Sequence, residues 1–200
     1  MRCYEFPGRK LLSVVVALAL SPPASAIEIV NSSVEVKDGR YVMLGESIIT
    51  APRKFVFDVL ADYDNFHKLA GGVAESYYLP PGENGEVRGY VRLESCVLIF
   101  CMALVKVERV DLQPPVKIVT VVEPEGSDFK FYTTYWTLEA VEEGTRVLYR
   151  AELVPDFWVP PIIGPWAIRR KFKKSADEIG LRIEFMHENG LTLEQVAPAD

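Results

Sequence analysis

The chain has 200 residues, enough for one domain with a substantial core and short for two. Its 22 Lys plus Arg against 28 Asp plus Glu give a net charge of −6. That balance argues against nucleic acid as a partner, because phosphate contacts need a basic face.

The first 26 residues have three parts. Arg2, Arg9 and Lys10 make a basic start, Leu11 to Leu20 form an apolar run, and Ala24 and Ala26 close a small-residue stretch. This is the order of a secretory signal peptide, with cleavage expected after Ala26. The apolar run falls short of the roughly 20 residues a spanning helix needs. Residues 1–26 are therefore read as the signal, 27–190 as the folded domain and 191–200 as a flexible tail. Cleavage removes three basic residues and one acid, leaving 19 against 27. It also removes Cys3, so only Cys96 and Cys101 would reach an oxidising, periplasmic or secreted location.

The domain opens with strands. Val34 to Val36 and Tyr41 to Ile49 flank Asp38-Gly39, a hairpin turn signal. Thr50-Ala51-Pro52 then reads as a helix start, with Thr50 as N-cap. Phe55, Val56, Val59 and Leu60 recur at helical spacing, and Tyr63 to Phe66 ends this helix and begins a second short one. Strands follow at Val73 to Leu79, Val87 to Cys96, Cys101 to Val110, Val116 to Val122, Phe131 to Leu138 and Thr145 to Val154. In the last of these, Val147, Tyr149, Ala151 and Leu153 share one face. A Pro-rich crossing then leads to a long helix, about Trp166 to His187. Ile168, Phe172, Ala176, Ile179, Ile183 and Met186 form its apolar stripe, and Arg169, Arg170, Lys171, Lys173 and Lys174 its basic face.

The stretch Ser95 to Met102 can be read in more than one way. In one straight strand, Cys96 and Cys101 would lie about 17 Å apart and point to opposite faces. A disulfide needs Cα atoms within about 7 Å. If residues 97–100 form a four-residue hairpin loop, the two cysteines face each other as a cross-strand pair and can bond. Two separate buried thiols are the alternative. A metal site would need more ligands than His67 and His187 can add, so no metal is expected.

Strands, a short helix pair, a long antiparallel meander and a terminal helix make an α+β domain. The segments ITAPRKFVFDVLADYDNF and GSDFKFYTTYWTLEAVEEGTRVLYRAELVP, with the final helix, resemble the helix-grip superfamily. That superfamily includes START and Bet v-like proteins, polyketide cyclase/dehydrase-like proteins, ubiquinone-binding proteins and steroid-transfer domains. The exported bacterial cyclase/dehydrase-like branch is the most similar. The resemblance runs through Asp128, Phe129, Lys130, Tyr132, Trp136, Leu138, Gly144, Thr145, Tyr149 and Pro155. It departs at Thr134, where the family usually has glycine. It implies a curved antiparallel sheet wrapped around the long C-terminal helix, with a cavity between them for an apolar ligand.

On that expectation Tyr132, Trp136, Val147 and Tyr149 line the cavity, closed over by Ile168, Phe172 and Ile179. Leu98, Ile99 and Phe100, with Trp158 and Trp166, would border its mouth or touch a membrane surface. The bland reading tucks residues 97–100 into the core. His67, the basic helix face and the tyrosines 77, 78 and 135 are weaker polar candidates. No catalytic triad order, nucleophile elbow or phosphate loop is present, and no cofactor is expected. The expected function is a carrier of a hydrophobic small molecule or lipid. The alternatives are a cyclase-type enzyme on an apolar cyclic substrate and a partner-binding domain with a filled cavity. A single buried Asp or Glu in an aromatic cavity would strengthen the enzyme reading.

Overall fold

A computed structural model describes residues 28–97, 100–160 and 163–199. The signal-peptide reading of residues 1–26 lies outside them, as do Leu98, Ile99 and Ile162. Eight strands form one antiparallel sheet: β1 (Glu28–Lys37), β2 (Arg40–Ile49), β3 (Val73–Leu79), β4 (Arg88–Val97), β5 (Phe100–Gln113), β6 (Lys117–Val122), β7 (Phe129–Val141) and β8 (Gly144–Pro155). Their order is β1-β2-β8-β7-β6-β5-β4-β3. The meander β3 to β8 is thus extended by the first hairpin, whose strand β2 pairs with β8. Helix α1 (Arg53–Ala61) and a short 3-10 turn (Phe66–Lys68) connect β2 to β3, and α2 (Ile163–Asn189) ends the fold. This is the helix-grip arrangement expected.

Local chemistry explains the turns and joints. Asp38 and Gly39 have φ of 51° and 76°, the two positive values that match a two-residue hairpin to strand twist. Helix α1 buries Val56, Phe57, Val59 and Leu60. Thr50 is not its N-cap: that position falls to Pro52, with no side-chain cap. The Thr50 N–H instead donates to the buried carboxylate of Glu184 on α2, at 2.7 Å. The Thr145 hydroxyl donates to Ala51 O, also at 2.7 Å, so the approach to α1 is tied to both α2 and β8.

The tail expected to be flexible is packed. Leu193 is 2% exposed, and Thr192 and Gln195 form a reciprocal cap around a final 3-10 turn. Arg182 of α2 donates to the carbonyls of Lys68, Ala197 and Pro198. Leu191, Leu193 and Val196 make no regular period in so short a segment, but burying them outweighs the ordering of a few residues.

Candidate functional site

The core falls into two clusters. One gathers Val56, Leu60, Leu69, Ile118, Leu138, Ile183 and Met186 under α1 and the C-terminal half of α2. The other gathers Val34, Tyr41, Met43, Phe129, Ala151 and Leu153. A cavity of about 200 Å³ draws its walls from residues of both. Leu60, Val91, Ile118, Val147, Phe172 and Ile179 supply apolar surface.

Six of the seven expected lining residues come together here: Tyr132, Trp136, Val147, Tyr149, Phe172 and Ile179. Their rings interlock. Trp136 meets Tyr149 edge-on at 4.4 Å between centroids, and Tyr149 meets Phe172 at 5.5 Å. Ile168 is not in the wall. It sits one turn nearer the start of α2, where it packs on the second core cluster.

Of the expected mouth residues, Leu98 and Ile99 lie outside the described residues. Trp158 is 77% exposed and Trp166 53%, but neither lines the cavity. Arg170 sits over the Trp166 ring at 5.6 Å. Phe100 is in β5, paired with Val97, and its side chain lies outside those described. The cavity instead reaches exposed Asn31 and Ser32 on β1, opposite Ser175 of α2.

Cys96 and Cys101 are paired across β4 and β5 and bonded, with S–S 2.01 Å. Pairing continues to Val97 and Phe100, so the hairpin connection is two residues, not four. The disulfide stands at the far end of the β4–β5 hairpin, outside the cavity lining. His67 is also outside it; its backbone N–H donates to Ser76 Oγ at 2.7 Å. Tyr77 stacks on Tyr90 at 4.7 Å, and Tyr135 is exposed.

The sequence missed the polar heart of the cavity. Lys106 and Glu108, two residues apart on β5, both face inward. Glu108 is 1% exposed. Its Oε1 accepts the Tyr63 hydroxyl at 2.7 Å. Its Oε2 lies 3.0 Å from Lys106 Nζ as an ion pair, but it accepts no hydrogen bond of good geometry. Lys106 Nζ also sits 4.7 Å from the centre of the Tyr132 ring. Beside this group, Thr120 and Thr134 share a hydroxyl–hydroxyl bond of 2.7 Å. Thr134, the position where glycine was expected, thus contributes a hydroxyl to the lining.

Gly89 makes the Tyr63 contact possible. It is the direct cross-strand partner of Glu108. A Cβ there would come within 2.3 Å of the Tyr63 ring. The missing side chain lets the ring lie on β4 and point its hydroxyl at the carboxylate.

The charges are set by burial and by neighbours. Burial works against a charged Lys106, but Glu108 and Tyr132 outweigh it and hold the lysine above its ordinary value of 10.5. Burial first, then the Glu108 charge, pushes Tyr63 well above 10.0. Burial and the neighbouring Tyr132 do the same to Tyr149. Both tyrosines are therefore neutral hydroxyls, and Lys106 is an ammonium facing a carboxylate. Among the described residues no group of three His, Cys, Asp or Glu could hold a metal. No helix among them is long and apolar enough to cross a membrane.

Residues 45–184 match the family model described as polyketide cyclase / dehydrase and lipid transport. The chain belongs to this family. Solved structures share its fold. A STAR-related lipid transfer protein from Xanthomonas axonopodis is 17% identical, with a TM-score of 0.54 over 76% of this chain and 98% of the other. The Zhui aromatase/cyclase from Streptomyces sp. R1128 is 13% identical, with 0.57 over 79% and 99%. A START superfamily protein from Mycobacterium smegmatis is 13% identical, with 0.51 over 75% and 97%. No curated protein matches the sequence.

Proposed function

We propose that this chain is a carrier for a compact, mostly apolar small molecule held between the sheet and α2. The observation behind this is the cavity itself: an apolar and aromatic wall with a few convergent polar groups, the usual makeup of a small-molecule site. Family membership supports the class of ligand. At about 200 Å³ the cavity is below the roughly 300–1,000 Å³ common for drug-sized ligands, yet above the roughly 150 Å³ that suffices for benzene. The reading is accordingly a single ring, a medium chain, or one end of a longer lipid.

The carrier is proposed to work outside the cytoplasm, periplasmic or secreted. The basic–apolar–small order of residues 1–26 and the Cys96–Cys101 disulfide support that location. N-terminal sequencing of the exported protein should read from Ile27; a start at Met1 contradicts it. Exposed Trp158 and Trp166 beside Arg169 and Arg170 suit transient contact with an anionic membrane during loading.

An enzyme is the second reading, because Glu108 is a buried carboxyl group in an aromatic cavity. The geometry favours the carrier. Glu108 is held by Tyr63 on one oxygen and paired with the Lys106 ammonium beside the other, an arrangement suited to fixing a polar group in place, with room at Oε2 for one more hydrogen bond. Calorimetric titration with 1-octanol tests the carrier. Saturable binding to the wild type and weaker binding to Trp136→Ala support it. No binding to the wild type leaves a filled, partner-binding domain as the better account.

A further inference from the structure

Inside the cavity, Lys106 and Glu108 make a balanced pair. One ammonium and one carboxylate sum to zero, and among the described residues no other Lys, Arg, Asp or His side chain lines the wall; Glu46 also lines it, paired with Arg146 at 2.6 Å. Both members retain bonding capacity. Glu108 Oε2 is a buried acceptor without a hydrogen bond. Lys106 has three N–H groups, and Glu108 and the Tyr132 ring are its only neighbours of suitable character among the described contacts.

We propose that Lys106 and Glu108, held by Tyr63, anchor the polar end of the ligand and select a neutral head group, a hydroxyl or carbonyl, over a carboxylate. This rests on the reading of the cavity as a ligand site. A hydroxyl can accept from Lys106 and donate to Glu108 Oε2, so it satisfies both without adding charge. A carbonyl takes the Lys106 donor alone. A carboxylate also finds that donor, but brings a second negative charge beside Glu108 in a desolvated space. The hydrophobic small molecule or lipid expected from the sequence is thereby narrowed to a neutral one, such as an alcohol, ketone or ester.

The test is calorimetric titration at neutral pH with 1-octanol and with octanoate, on the wild type and two variants. Wild type should bind 1-octanol at least roughly tenfold more tightly than octanoate. A plain apolar cavity would also disfavour the ion, so the variants decide. Glu108→Gln leaves Lys106 as an unbalanced cation, and octanoate should gain roughly tenfold. Lys106→Met with Glu108→Gln restores neutrality and removes the anchor. Octanoate should then stay excluded while 1-octanol weakens roughly tenfold. Unchanged octanoate affinity in folded Glu108→Gln overturns the proposal. If that variant does not fold, unchanged 1-octanol affinity in the double variant overturns it. Wild type that binds octanoate as well as 1-octanol overturns the selection while leaving the carrier standing. Wild type that binds neither removes the carrier reading, and the anchor with it.

Discussion

Glu108 and Lys106 are two residues apart on one strand, so the fold cannot bury one without the other. Removing a single partner strands a charge in the interior. Glu108→Leu should cost about 3–5 kcal/mol in urea unfolding, whereas Lys106→Met with Glu108→Leu should come back to near the wild-type stability or above it. Equal losses in the single and double variants would show that the pair is solvated rather than buried. The titration of Lys106, Tyr63 and Tyr149 sets the alkaline limit. Lys106, Tyr63 and Tyr149 all have folded values raised above the ordinary 10.5 and 10.0. Groups raised on folding lend stability that is fully present below their unfolded values and is lost as pH rises through the folded ones. Stability should therefore hold up to about pH 10 and fall beyond it, and Tyr63→Phe should flatten that fall. None of this was legible in the residues alone. Along β5 both faces mix apolar and charged residues: Val105 and Val107 share one with Arg109 and Asp111, and Leu104, Val110 and Leu112 share the other with Lys106 and Glu108. A strand's parity is fixed by its neighbours. Here the register with β4 and β6 turns the face of Lys106 and Glu108 inward.

The elements themselves were readable because their signals were local. Asp38-Gly39, Glu142-Glu143-Gly144 and the period-two pattern of β8 each name a turn or a face without help from distant residues. Joints that depend on distant partners were not. The Thr50 N–H answers to Glu184, and Tyr63 to Gly89 and Glu108, and no local pattern announces such meetings. Gly89→Ala should thus act at a distance in sequence. The added methyl displaces a buried ring, so stability should fall by about 1–3 kcal/mol, and the Tyr63 titration should move toward its ordinary value. Unaltered stability in the Gly89→Ala variant would mean that the ring shifts freely. The docked tail makes a comparable claim. Truncation after Gly190 exposes the pocket of Leu193 and frees Arg182, and should cost about 2 kcal/mol on thermal or urea unfolding. The Cys96–Cys101 bond closes only a short loop, so reducing it should cost about 2 kcal/mol, the low end of the usual range.

At the scale of the whole molecule, the sheet curls around α2 and the two core clusters do not quite meet. Phe172 shows how this spacing is held: its ring tip would lie 3.1 Å from a Cβ at Gly45, so helix and sheet approach closely at that point. The interlocked rings of Trp136, Tyr149 and Phe172 then serve both as wall and as core. This is why the sequence could name six lining residues and not the polar ones beside them. Apolar periodicity marks the wall, while Asn31, Ser32 and Ser175 carry no signature that distinguishes a rim from any wet surface. The most direct test is a crystal structure grown with 1-octanol. The account predicts its chain between Val147, Phe172 and Ile179, with the hydroxyl oxygen in hydrogen-bond reach of Lys106 Nζ and Glu108 Oε2. An interior holding only water, with the alcohol bound elsewhere or not at all, would contradict it.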